Sequence, residues 1–231
     1  MTITIHQGND LHLQRSHINI VIDVIRAFTV AHYAFLGGVN QIFLVNSTED
    51  AFLLKHSYPD FLLAGEEKGI PIKGFDLGNS PKQISQERLF DKTLVQKTTN
   101  GVKATLHSLN TKHLFVTGFS NAKTTANHVR TLLEETKEDA VIHIIASHPT
   151  GDDDLACADY IKDLILGKST VRPEEVMQRI TNSHVTEKFF NVDKPEFDCD
   201  DIRLCIEEKN SDFVMEVNKH TKIPVIERKR I

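Results

Sequence analysis

Several polar groups in this 231-residue sequence follow apolar runs closely, and their side chains suit chemistry on an anion held by a metal. Asp23 and Arg26 come after the run Asn19 to Ile22. A carboxylate at the end of a buried run costs free energy unless it is paired or bound to a cation. Asp23 therefore reads either as an ion-pair or cap residue, or as a magnesium ligand or acid–base group, with Arg26 as a planar fork for phosphate oxygens. Glu66 follows Phe61 to Ala64, and Thr98-Thr99-Asn100-Gly101 follows Thr93 to Gln96. Free amides at a helix start favour an anion there, although Thr, Asn and Gly also make an ordinary cap and turn. Asn121 follows Leu114 to Val116, and Ser147 to Asp153 follows Val141 to Ala146. Asp152, Asp153 and Asp154 suit a helix dipole, but three adjacent carboxylates repel one another, and a divalent cation would relieve that. His148 is a weaker acid–base candidate in the same stretch, and His143 reads as structural.

Those positions need a frame that gathers them. Strand-length runs alternate with helix-period segments: Phe28 to Leu36, a start at Ser47, Gly101 to Leu109, Asn121 to Glu135 and a helix opening at Asp152. Such alternation predicts an α/β fold, a mostly parallel sheet covered by helices on both faces. In such sheets ligands bind at the carboxyl ends of the strands, where these groups lie. Gly65 to Arg88 carries four glycines and two prolines with little periodicity and reads as a functional loop. Within it, Gly78-Asn79-Ser80-Pro81 is either a plain turn or a rigid loop presenting an amide and a hydroxyl. A helix start at Pro173 and a closing strand near Ile223 to Ile226 complete a single domain over 1–231.

Composition narrows the class. A formal net charge of −5 without a long basic run argues against nucleic acid as a partner. Three cysteines without metal-type spacing point to a reducing compartment, and the N-terminus resembles neither signal peptide nor membrane span, so a cytoplasmic protein is expected. Phosphate-loop and dinucleotide fingerprints are absent, as are the cysteine-dependent and haloacid-dehalogenase phosphatase signatures.

Taken in order, Val21-Ile22-Asp23-Val24-Ile25-Arg26-Ala27, Leu63-Ala64-Gly65-Glu66, Gly74-Phe75-Asp76-Leu77-Gly78-Asn79-Ser80-Pro81, Thr98-Thr99-Asn100-Gly101, Asn121-Ala122 and the acidic start at Asp152 resemble the 2-phosphosulfolactate phosphatase family over nearly the whole chain. The resemblance implies a three-layer α/β/α fold with a mostly parallel or mixed sheet. It also implies magnesium-dependent hydrolysis of 2-phosphosulfolactate to sulfolactate and phosphate, a reaction of coenzyme M biosynthesis or sulfolactate metabolism. Carried over by motif, Asp23, Arg26 and Asp153 are catalytic. Asn79, Ser80, Thr98, Thr99, Asn100, Gly101 and Asn121 bind a small anionic phosphate ester, and Asp23, Glu66, Asp76, Asp152 and Asp153 hold Mg2+. The chain departs from the family pattern at Phe28, Glu67, Val102, Lys103 and Ala146 to Thr150. Those departures motivate two alternatives: another small 2-hydroxy acid phosphate as substrate, or an anion-binding relative without turnover. A homo-oligomer is compatible with the sequence.

Overall fold

A computed structural model describes residues 1–135 and 139–231. Strand β1 (Thr2–Gln7) precedes β2 (Ser16–Ile22), and helix α1 (Ala27–Leu36) follows. Every residue of α1 from Ala27 to Phe35 is buried. A helix apolar on all sides must be enclosed, and this one lies in the concave face of the sheet. Its neighbours in one apolar cluster come from many strands: Val21, Val116, Met215, Ile226, Ile42 and Leu94.

The chain continues through β3 (Gln41–Leu44), α2 (Thr48–Ser57), β4 (Leu62–Glu67), β5 (Ile70–Pro71), α3 (Pro81–Gln86), β6 (Thr93–Lys97), α4 (Gly101–Leu106) and β7 (Thr111–Thr117). A short 3-10 turn (Phe119–Asn121) leads into α5 (Ala122–Glu135), then β8 (Val141–Ala146), α6 (Asp152–Ile165) and α7 (Pro173–Asn182). A 3-10 segment (His184–Phe190), α8 (Cys199–Cys205), β9 (Phe213–Asn218) and β10 (Val225–Arg230) follow. Among the described residues the strands form one 10-stranded sheet in the order β1-β8-β2-β7-β9-β10-β3-β6-β4-β5. The fold is α/β with a mixed sheet, as expected. β1, β8, β2 and β7 run parallel, and so do β3, β6 and β4. The strands between them, β9 and β10, pair antiparallel with every neighbour.

Three antiparallel contacts make the two parallel blocks opposite in sense. Each step also carries about 20–25° of twist, so the five steps from β2 to β6 turn the strand direction by roughly 100–125°. Curled around α1, the sheet brings the ends of β2, β4 and β6 together. Gln96 ties β6 to the start of α1 through a 2.9 Å hydrogen bond to the Ala27 carbonyl. The outer face over β2, β7 and β8 is covered by α5 and α6, with Ile20, Phe115, Ile144, Val129 and Ile161 in a second core.

β1 and β9 were not anticipated. β1 is an edge strand with only two inward apolar residues, Ile3 and Ile5, and β9 falls between the helix start expected at Pro173 and the closing strand expected near Ile223. The long Gly65 to Arg88 stretch is more ordered than a loop: it contains the end of β4, all of β5, and α3. Gly65 has φ +150°, and a Cβ there would stand 2.0 Å from the Lys97 carbonyl oxygen. That backbone contact sets Glu66 beside the end of β6.

Candidate active site

The gathered strand ends line a cleft of about 340 Å³. Asp23 sits on its floor. Its Oδ1 accepts from the Ala27 amide at 2.8 Å, Ser147 Oγ donates to Oδ2 at 3.4 Å, and the Gly101 amide also donates to the carboxylate. Burial pushes the Asp23 carboxyl up to about 7; the Ala27 bond opposes this, and the charges of Glu66 and Asp153 add to it. Gly101 is required by proximity, since a Cβ would lie 2.6 Å from Asp23 Oδ2.

Glu66 is fixed by three donors. The Gly69 and Thr99 amides and the Thr99 hydroxyl all point at its carboxylate. The α4 N-terminus thus spends the Thr99 and Gly101 amides on the protein's own carboxylates, and the Val102 amide on Thr98 Oγ1 at 3.0 Å. This corrects the sequence expectation that those amides cradle a ligand. Thr98 and Gly101 support the cleft, whereas Thr99 and Asn100 line it. Asn100 is steadied by Asn9, whose Nδ2 donates to its Oδ1 at 2.6 Å. Asn79 also lines the cleft, and its buried Oδ1 has no hydrogen-bond partner among the described residues.

Arg26 reaches the cleft from beyond β2. Its Nη1 donates to Asp201 at 2.7 Å, and its guanidinium lies 4.9 Å from the centre of the Phe189 ring. Asp201 is fully buried and also accepts from Ser80 Oγ at 2.6 Å and the Lys82 amide at 3.1 Å. Ser80 is thereby a brace and the cap of α3, outside the cleft lining.

The three acids of α6 separate. Asp152 faces outward and pairs with Arg179. Asp153 is buried outside the cleft lining, packed against Gly151, and accepts from Ser183 Oγ at 3.0 Å. Asp154 clamps two strand ends: it accepts from the Val24 amide at 2.7 Å, the His148 amide at 2.9 Å and Ser147 Oγ at 3.1 Å. Burial raises the carboxyl pKa of both Asp153 and Asp154, and for Asp154 the charges of Asp153 and Asp23 add to that.

Two expected residues lie elsewhere. Asp76 accepts from Lys55 at 3.2 Å and from the Leu63 amide at 2.8 Å, so it braces β4 outside the cleft. Asn121 is buried at the end of β7, where its Oδ1 accepts from Thr117 and Gly118. Lys55 and the β4 backbone satisfy the first, and the turn at the end of β7 satisfies the second.

Sequence reasoning missed Asp201, Lys188, Lys68, Phe189 and Asn9. Asp201 carried no signal, because an acid in the first turn of a helix is ordinarily a dipole partner at the surface. Lys188 and Phe189 come from the 3-10 segment far along the chain, and Lys68 from the β4–β5 turn. The departures from family pattern mostly fall away from the cleft. Phe28 and Val102 are core residues, Glu67 faces solvent and pairs with Lys97, and Lys103 pairs with Asp10. Only His148 to Thr150 forms part of the wall. There His148 Nδ1 accepts from the Gly151 amide at 2.8 Å and the Thr150 amide at 3.3 Å, which leaves the proton of the neutral ring on Nε2. Burial, with His184 and Lys188 nearby, holds this histidine below its usual pKa.

The family model described as 2-phosphosulpholactate phosphatase matches residues 4–220. The chain belongs to the 2-phosphosulfolactate phosphatase family. It is 57% identical over 228 residues to a "Probable 2-phosphosulfolactate phosphatase" of Bacillus subtilis (strain 168), covering 99% of both chains. A protein of the same description from Clostridium novyi (strain NT) is 36% identical over 64% of this chain and 62% of its own. One from Caldicellulosiruptor saccharolyticus is 35% identical over 64% of this chain and 62% of its own. Among the described residues no helix is long and apolar enough to cross a membrane.

Proposed function

We propose that this protein hydrolyses 2-phosphosulfolactate to sulfolactate and phosphate with Mg2+ bound at the cleft. The observation that carries this reading is the meeting of hard oxygen donors and cations on one cavity: Asp23, Glu66 and Asn79 beside Arg26, Lys68 and Lys188. Magnesium prefers carboxylate and carbonyl oxygens. The residues fit that preference, because Asn79 offers a buried oxygen without a partner among the described residues and the charges around Asp23 repel one another. Asp23, Glu66 and Asn79 would hold the ion, with Asp153 behind them. Once bound, it would neutralise charge on the phosphoryl oxygens during transfer. The compact acidic group Asp198, Cys199 and Asp200 is a poorer site, since Lys82 already binds both carboxylates.

Arg26 is held by Asp201 through Nη1 and by the Gly69 carbonyl, which accepts from Nη2 at 3.4 Å, and the remaining N–H groups of this anchored fork would bind non-bridging phosphoryl oxygens. His148 holds a proton at Nε2 on the cleft wall, where it donates to substrate without itself becoming charged. Glu66 is oriented by its three donors before substrate arrives, so no reorganisation is needed when the charge develops. The departures at Phe28, Glu67, Val102 and Lys103 leave these groups untouched. That supports a working phosphatase over an anion-binding relative.

The test is phosphate release by purified protein from 2-phosphosulfolactate, 2-phospholactate and phosphoglycolate, each with Mg2+ and with chelator. Magnesium-dependent release with preference for the sulfonated ester, abolished in Asp23→Ala, is the expected result. No release from any of the three defeats the proposal, and a preference for phosphoglycolate reassigns the substrate.

A further inference from the structure

Of the two cleft cations that make no salt bridge among the described residues, Lys68 is exposed, whereas Lys188 is partly desolvated and feels the charges of Glu66, Asp153 and Asp23. Lys188 is half-buried on the 3-10 segment, with Nζ 4.8 Å from the centre of the Phe197 ring and 5.7 Å from that of Phe189. Among the described residues no carboxylate pairs with it. Its situation contrasts with Arg26, which is committed to Asp201, and with Lys82, Lys97 and Lys103, each of which has an acidic partner. A partly desolvated ammonium is costly unless an anion meets it, and two aromatic faces offset only part of that cost. The space beside it is kept open. A Cβ on Gly69 would stand 3.3 Å from Nζ and 3.2 Å from the Phe197 ring, and Gly69 also has φ +86°. The ammonium therefore stands over the cleft with room for a ligand group next to it.

The inference rests on the phosphatase reading above. A 2-phosphosulfolactate carries three anionic groups on neighbouring carbons: the phosphate that leaves, a carboxylate and a sulfonate. The phosphate belongs with Arg26 and the oxygen donors around Asp23. The geometry points to Lys188 as the specificity-determining residue that binds the sulfonate. A sulfonate spreads its charge over three oxygens and is less strongly hydrated than a carboxylate, so it gives up water more readily to enter a cleft lined by Phe189. Arg26 and Lys188 thus divide the substrate. The first meets the group that reacts, and the second meets the group that marks the molecule as the right one.

Lys188→Met tests this with three esters at saturating Mg2+: 2-phosphosulfolactate, 2-phospholactate (no sulfonate) and the phosphate ester of isethionate (sulfonate but no carboxylate). The expected loss in kcat/KM is roughly 10–100-fold for both sulfonated esters, the worth of one charge-assisted hydrogen bond, with 2-phospholactate nearly unchanged. Calorimetry with sulfolactate should show the same loss in affinity without turnover, and Lys188→Arg should restore much of it. Equal losses on all three esters would place Lys188 on the phosphoryl group and overturn the inference. A loss that follows the carboxylate, or no loss at all, overturns it too. Wild-type protein that releases no phosphate would instead defeat the underlying phosphatase reading. A Met variant with altered melting is replaced by Lys188→Gln, read on the same three esters.

Discussion

The Arg26 guanidinium donates to Asp201 across 175 positions of sequence, at 2.7 Å, with both side chains buried. The pair joins the end of β2 to the start of α8 and fixes the only cleft cation that is braced by an acid, among the described residues. Ser80 and the Lys82 amide complete the Asp201 shell, so the turn before α3 is tied to the same point.

Breaking one half of that pair strands the other. Asp201→Ala should cost about 3–5 kcal/mol of folding stability, because Arg26 would remain buried with its charge uncompensated. The double variant Arg26→Leu/Asp201→Ala should lose about 1–3 kcal/mol less than the sum of Arg26→Leu and Asp201→Ala. Urea denaturation of all three checks this. Strict additivity would mean the two residues contribute separately and the bridge has no energetic meaning.

Acidity offers a second prediction. The folded Asp23 carboxyl titrates near 7, against an ordinary value of 3.8, and burial is the main cause. Between those values the folded chain binds more protons than the unfolded one. Metal-free stability should therefore fall as pH rises from about 4 to about 7, by up to about 1.4 kcal/mol per pH unit for this group, and level off above. Asp153 and Asp154 shift in the same direction. A cation at Asp23 favours the ionised form, so MgCl2 should raise the melting temperature more at pH 8 than at pH 5. Thermal melts at both values decide it, and an equal effect at both would remove Asp23 from the metal site.

Much of this site was legible because β2, β4, β6 and β8 end at or shortly after the end of an apolar run, and α/β topology gathers such ends. Asp23, Glu66, Thr99 and Asn100 are legible in that way and Asn79 through the Gly78-Asn79-Ser80-Pro81 loop, and all five line the cleft. Local sequence carries no such signal where burial depends on partners remote in the chain. Asp201 and Asp200 are adjacent acids in one helical turn, yet the first is fully buried and the second is open to solvent on Lys82. Nothing local separates them; only the packing of α8 against α3 does. Asp76 fails for the opposite reason. It sits in a block specific to the family, but its carboxylate serves the β4 backbone. The closing strand near Ile223 is met by β10, but β9 was hard to place because it returns antiparallel between two parallel blocks, a connection that strand–helix alternation does not foretell.

Gly101 permits a narrower test. Its missing side chain leaves the space that Asp23 and Ala27 occupy, with a Cβ position 2.6 Å from Asp23 Oδ2 and 3.0 Å from Ala27 Cβ. Gly101→Ala should cost about 1–3 kcal/mol through overpacking. It should also displace the Asp23 carboxylate, so magnesium-dependent phosphate release should fall even at temperatures where the variant is fully folded. Circular dichroism and an assay on the same sample separate the two effects. Full activity would mean that Asp23 can shift without consequence.

His148 provides the sharpest separation of structure from chemistry. One edge of its ring is a structural acceptor for the Gly151 and Thr150 amides, and the other carries the Nε2 proton. An asparagine at this position keeps an acceptor oxygen near those amides, in the manner of an Asx turn, and deletes the Nε2–H. His148→Asn should therefore stay within about 1 kcal/mol of wild-type stability while kcat/KM falls roughly 10–100-fold. Because the neutral ring is the donor, this loss should be the same at pH 7 and pH 8.5, whereas a histidine acting as a charged acid would show a loss that shrinks as pH rises. Kinetics at the two pH values discriminate between those roles. Unchanged kinetics alongside unchanged folding would reduce His148 to a loop brace and leave the donor to be sought elsewhere on the cleft wall.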